Sequence, residues 1–151
     1  MTTPATYIQH VNIMVDDIDA AAAFYGDFLG LESFPVPEQG FPSVFFRFNE
    51  HQEIHINKLP DPIPVRAHFA LRVPNFEELI RKAHGNGCLE TETWGKVRRL
   101  PHGVLQGFVR DPSGNLIELT ADPEQIVSDE FFDLDFYDEH SAMFTVDEES
   151  A

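Results

Sequence analysis

Residues 10–32 read HVNIMVDDIDAAAAFYGDFLGLE, and residues 68–90 read HFALRVPNFEELIRKAHGNGCLE. Both stretches open on a histidine and close on Leu-Glu, and they start 58 residues apart, which marks them as two copies of one unit. Each begins as a strand. In the first, Val11, Ile13 and Val15 share a face, and His10, Asn12 and Met14 take the other. In the second, Phe69, Leu71 and Val73 oppose His68, Ala70 and Arg72. A polar residue, Asp17 or Asn75, then caps a helical run that stops near Gly30 or Gly87, and Asn75 with Glu78 has the spacing of a capping box.

Short β-like runs follow each helix. They are SVFFRFN (43–49) and QEIHINK (52–58) in the first half, and a run around TWGKVRRL (93–100), then VLQGFVR (104–110) and NLIELT (115–120), in the second. DPSGN between the last two is a turn in which Pro112 presets φ and Gly114 or Asn115 takes a positive one. The proline-rich KLPDPIPV (58–65) links the halves. The expected class is α+β, with a first βαβββ module over 1–60, a second over 61–121, and an acidic aromatic tail over 122–151. A helix covers only one face of each sheet. Two such pseudo-symmetric modules side by side make a curved eight-stranded mixed sheet with helices outside and a concave metal-binding cleft.

Composition narrows the function. A chain of 151 residues, 42% hydrophobic, can bury one real core. Its formal net charge of −16 repels phosphate backbones and anionic membrane surfaces, so neither nucleic acid nor membrane is an expected partner. The nearest basic patch, KVRRL (96–100), reads as a solvated strand face or loop. No run approaches the roughly 18–20 apolar residues of a membrane span, and MTTPATYIQH lacks the regions of a signal peptide, so the expected compartment is the cytoplasm. Cys88, the only cysteine, reads as a small packed hydrophobe. His51, His84, His102 and His140 read as solvated.

The open faces carry the chemistry. Ile117 and Leu119 of NLIELT face the helix layer, while Leu116, Glu118 and Thr120 face away. In QEIHINK, Ile54 and Ile56 face the core, which leaves Glu53, His55 and Asn57 on the open side. His10, His55, His68 and Glu118 therefore converge by pseudo-symmetry. Two imidazoles and a carboxylate suit a divalent cation (iron, manganese, zinc, nickel or cobalt) and leave positions open for substrate. His55 is either a fourth ligand or an acid/base beside the ion, and Glu118 and His55 are the catalytic candidates. Asn12, Arg47, Arg72 and Phe108 are expected to line the substrate cleft.

From about Tyr7 to Thr120 the chain resembles the vicinal oxygen chelate superfamily, on HVNIMVDDIDAAAAFYGDFLGLE, HFALRV and GFVRDPSGNLIELT. That superfamily includes glyoxalase I, fosfomycin-resistance proteins, methylmalonyl-CoA epimerase, extradiol dioxygenases and bleomycin-resistance proteins. The resemblance implies paired βαβββ modules, a metal on His10, His68 and Glu118, a small-molecule substrate with adjacent oxygens, and often a homodimer. It implies a lyase or isomerase of glyoxalase type, with Fe(II) extradiol oxygenation as runner-up and non-catalytic sequestration as a further alternative. Glyoxalase I typically has glutamate or glutamine where His55 stands. Extradiol enzymes have a histidine there but also a tyrosine where this chain has Phe108. The tail, with eleven carboxylates and no lysine or arginine, is either disordered or docked through Phe131, Phe132, Phe136 and Tyr137.

Overall fold

The structure is a computed structural model, and it describes Ile8, residues 10–36, Glu38, 40–100 and 103–141. His102 and tail residues 142–151 lie outside the described residues. The chain divides into two compact units, Met1–Ile63 and Pro64–Ala151. No helix among the described residues is long and apolar enough to cross a membrane.

The first unit runs β1 (His10–Val15), α1 (Ile18–Ala23), β2 (Glu32–Phe34), β3 (Ser43–Arg47) and β4 (Glu53–Lys58), and its sheet has the order β1-β4-β3-β2. Asp17 starts α1 by accepting the N–H groups of Asp19 and Ala20, both at 3.0 Å. The helix widens into a π turn over Phe24–Phe28, where Leu29 N–H reaches back to the Phe24 carbonyl at 3.0 Å. Gly30, at φ 73°, ends it. The helix covers the face of the sheet that carries the fully buried Ile54 and Ile56, with Tyr25 against Phe46. A Cβ on Gly26 would stand 3.3 Å from the Phe46 ring, so the missing side chain sets how closely the helix approaches.

The second unit runs β5 (His68–Val73), α2 (Phe76–Gly85), β6 (Leu89–Glu90), β7 (Arg98–Arg99), β8 (Leu105–Arg110) and β9 (Leu116–Ala121). Its five-stranded sheet has the order β5-β9-β8-β6, with β7 on β8. Among the described residues the strands thus form hydrogen-bonded sheets of four, in the first unit, and five, in the second. The unexpected pieces are β2 and β6, three and two residues long, and TWGKVRRL contributes only its two arginines as strand. Runs so short hold no alternation to detect. Gly107 lies under α2: a Cβ there would meet Ile80 Cδ1 at 2.8 Å and Val97 Cγ2 at 3.1 Å.

Two local expectations are corrected. The Asn75 side chain makes no cap bond to the α2 backbone. Instead Gln125, from beyond β9, accepts the Phe76 N–H at 2.8 Å. KVRRL is not uniformly solvated, because Arg98 is only 4% exposed while Arg99 remains at the surface.

The described part of the tail packs on the second unit. Ser128 binds Glu77 of α2 through both its N–H (2.8 Å) and its hydroxyl (2.6 Å), and these bonds hold the Glu77 carboxyl below its ordinary pKa. A 3-10 turn, Asp129–Asp133, then inserts Phe131, fully buried, against Phe76, Phe136 and Tyr137. Beyond it the chain pairs with β7's approach, since Val97 N–H binds the Phe136 carbonyl and Asp138 N–H binds that of Val97.

Candidate metal centre

Strand registers define equivalent positions in the two units. In the first, β1 and β4 pair in parallel with Asn12 opposite His55. In the second, β5 and β9 pair in parallel with Ala70 opposite Glu118. Asn12 and Ala70 each stand two residues past the histidine that opens the strand, so His55 and Glu118 occupy the same place in their sheets. Phe45 faces His55 across β3–β4, and Phe108 faces Glu118 across β8–β9.

In the first unit the rings stack. His55 lies between His10 (centroids 4.3 Å apart) and Phe45 (3.7 Å). Its Nε2 stands 3.1 Å from Glu53 Oε2. An ionised carboxylate only accepts, so Nε2 carries a proton and Nδ1 is the basic atom of neutral His55. Asn12 accepts from Asn57 at 2.9 Å, and Asn57 accepts the Ser43 hydroxyl at 2.8 Å. The Arg47 guanidinium sits 4.7 Å from the centre of the Phe34 ring.

In the second unit His68 Nε2 stands 3.2 Å from Glu118 Oε2, and both side chains are partly exposed. The other ring nitrogen decides the chemistry of that contact. Nδ1 lies 2.9 Å from the Arg66 carbonyl, which can only accept, so Nδ1 holds the proton. Neutral His68 then aims a lone pair at a carboxylate oxygen. Two acceptors this close need a positive charge between them, from a proton on Nε2 or from a bound cation. The donor set fits a divalent metal: imidazole nitrogen and carboxylate oxygen on one face, with the histidine's far nitrogen anchored. Trp94 and Phe108 meet His68 edge-on at 5.8 and 5.3 Å, and Phe108 is buried. Arg72 is exposed, two register steps from that pair on the same face, and opposite Thr120.

Each unit therefore brings together one pair of the expected groups, His10 with His55 and His68 with Glu118. Among the described residues, neither unit by itself gathers three His, Cys, Asp or Glu side chains able to hold a metal ion. Sequence reasoning missed Gln106, Arg98 and the hydrogen-bonding role of Glu53. Gln106 shares a strand face with Phe108 and was within reach of the alternation argument; Arg98 was not, because its burial depends on the tail. Cys88 is half-buried, and burial pushes its thiol pKa up, as suits a packed group rather than a nucleophile.

The loop that carries Trp94 is held by Glu90. Burial acts to raise the Glu90 pKa, but it is outweighed by N–H groups of Thr93 and Glu92 and by Arg110, whose Nε lies 2.7 Å away, and the net direction is down. A carboxyl lowered on folding stabilises the protein above its unfolded pKa, near 4.5, and that contribution fades as pH falls through the folded value. Glu90→Gln is expected to lose about 1.5–3 kcal/mol near neutral pH. The deficit should narrow as pH falls below about 4.5, which urea midpoints at neutral and at acid pH would show.

Solved structures share this architecture. A protein from Bacillus anthracis assigned to the glyoxalase family is 29% identical, with 81% of this chain and 99% of that one covered and a TM-score of 0.63. Lactoylglutathione lyase from Agrobacterium tumefaciens is 26% identical over 80% of this chain and 97% of its own, with a TM-score of 0.60. An oxidase at 18% identity and a TM-score of 0.58, covering 80% of this chain and 96% of its own, shares the fold alone. No curated protein matches the sequence. Residues 7–119 match the family model, and the chain belongs to the Glyoxalase/Bleomycin resistance protein/Dioxygenase superfamily.

Proposed function

We propose that the protein is a metal-dependent enzyme of glyoxalase type, a lyase or isomerase acting on a small molecule with two adjacent oxygens. His10, His68 and Glu118 would hold the divalent ion, with His55 as a fourth ligand or as the acid/base beside it. The observation that carries this reading is the His68–Glu118 pair, in which His68 Nδ1 is anchored on the Arg66 carbonyl at 2.9 Å and Nε2 stands 3.2 Å from a carboxylate oxygen. The reading requires His10 of the first unit to meet that pair around one ion.

A metal here would act as a Lewis acid, taking up the neighbouring oxygens and stabilising the enolate or oxyanion that develops. The protein's part is positioning and proton movement. His55, braced between two rings with its Nε2–H on Glu53, keeps Nδ1 available to take a proton and return it. Asn12, Arg47 and Arg72 are the polar groups assigned to substrate, with Phe108 as an apolar wall. The setting is the cytoplasm, and a homodimer is the assembly that the superfamily resemblance favours.

His55 also favours a second reading, Fe(II)-dependent extradiol oxygenation, although Phe108 offers no hydroxyl to donate a hydrogen bond. Elemental analysis of protein purified without chelators tests the proposal, with about one divalent ion per chain expected. Oxygen-dependent cleavage of catechols by an iron form would move the assignment to the dioxygenase. A protein that never takes up metal, yet binds small molecules with His68 replaced by alanine, would be a sequestering protein.

A further inference from the structure

The inner oxygen of Glu118 leads to a buried relay. Gln106 Nε2 donates to Glu118 Oε1 at 2.6 Å, and Arg98 Nη2 donates to Gln106 Oε1 at 2.7 Å. The amide can face only one way. A guanidinium has donors alone, so the Gln106 oxygen must point to Arg98 and its nitrogen to Glu118. Arg98 is 4% exposed and Gln106 6%.

Stability gives no reason for this arrangement. Arg98 Nη1 reaches the carbonyls of Trp94 and Ser141 at 3.0 and 3.2 Å, but its buried Nε has no hydrogen-bond partner among the described residues. An unsatisfied buried donor costs about 1–3 kcal/mol, and packed apolar side chains commonly serve as well as buried ions. Burial pushes the guanidinium pKa down, against the opposing charge of Glu118. The cation is thus held at a cost, and its one side-chain hydrogen-bond partner among the described residues passes the bond on to Glu118.

We infer that Arg98 and Gln106 are positioning residues that lock the Glu118 carboxylate, engaging Oε1 from the interior so that Oε2 alone is presented beside His68 Nε2 to a cation. The C-terminal segment closes the far end of the relay. Besides the Ser141 carbonyl on Arg98, the Ser141 hydroxyl accepts Lys96 N–H at 2.9 Å, and Lys96 Nζ donates to the Asp135 carbonyl at 2.6 Å. The inference rests on the proposed role of Glu118 as a metal ligand.

Two substitutions test it. Gln106→Glu keeps an acceptor for Arg98 but replaces the donor to Glu118 with a like charge; Gln106→Leu removes both bonds at similar volume. Titration of the purified protein with Zn2+ and Ni2+ against a competing chelator is expected to show affinity weakened by roughly 10–100-fold in both variants. Thermal melts report whether each is folded. If the role of Gln106 is only to satisfy Arg98, Gln106→Glu binds metal as the wild type does, and the inference falls. Crystal structures of the metal-free proteins give a second readout. The Glu118 carboxylate should keep its 3.2 Å approach to His68 in the wild type and swing away in Gln106→Leu; an unmoved carboxylate overturns the relay. A wild-type protein that takes up neither ion sinks the metal reading, and the carboxylate geometry then decides the relay by itself.

Discussion

Replacing Phe131 with alanine is expected to cost about 3–5 kcal/mol, the largest stability loss of any single substitution considered. Phe131 is fully buried, although it lies in a segment with eleven acidic residues and no lysine or arginine. Its ring meets Phe76 of α2 at 6.1 Å, Phe132 at 5.9 Å, Phe136 at 5.7 Å and Tyr137 at 6.1 Å, so truncation opens a cavity in a cluster that joins tail to helix. The surroundings cannot collapse to fill it, because Ser128 on Glu77 and Gln125 on Phe76 tie the segment down on one side. With a urea m-value of ~2 kcal/mol/M, the midpoint should fall by about 1.5–2.5 M at unchanged slope. Phe132→Ala serves as the comparison, since that ring is half-buried and lies under Arg99, 5.2 Å from its guanidinium, and a much smaller shift is expected. Equal midpoints for Phe131→Ala and the wild type would mean that the tail does not form part of the core.

Removing either member of the His68–Glu118 pair should abolish tight metal binding. His68→Ala deletes a nitrogen donor, and Glu118→Ala deletes the only anionic ligand proposed. Both should exceed the ~10–100-fold loss typical of residues that merely orient a ligand. Stability without metal should follow a different order. His68 is near the surface and its loss is nearly neutral, whereas Glu118→Ala strips the acceptor from buried Gln106 and costs about 1–3 kcal/mol. His10→Ala completes the set and bears most directly on the function, because His10 belongs to the other unit. It should weaken Zn2+ binding as much as His68→Ala does. Unchanged affinity in His10→Ala would leave the ion, if any, on the second unit alone and would end the three-ligand reading.

The acid limb of the Glu90→Gln comparison connects these sites to the fold. Glu90, Arg110 and Thr93 form one hydrogen-bonded cluster, and Arg110 also binds the carbonyls of Gly114 and Val65. That cluster holds both the DPSGN turn and the loop bearing Trp94, whose indole N–H donates to the same Arg66 carbonyl that fixes His68. Loss of the carboxylate charge at low pH should therefore loosen the surroundings of His68 before the rest of the sheet.

What the amino-acid order determined alone was everything with a local period. Alternation in residues 10–15, 53–58, 68–73 and 116–120 separated apolar from polar faces, and the recurrence of His10 and His68 put histidine, histidine and glutamate on matching strands. A side chain's face follows from counting by twos, which needs no knowledge of its neighbours. The tertiary structure decided what depends on atoms far apart in the chain. The setting of His68 follows from a carbonyl two residues back, against Nδ1, and a carboxylate fifty residues on, against Nε2. Burial of Arg98 follows from Ser141 and Gln106, and docking of the tail from Phe76 and Glu77. Two-residue strands and an acidic tail have no periodicity to read, so their places are set only when distant surfaces exclude water between them.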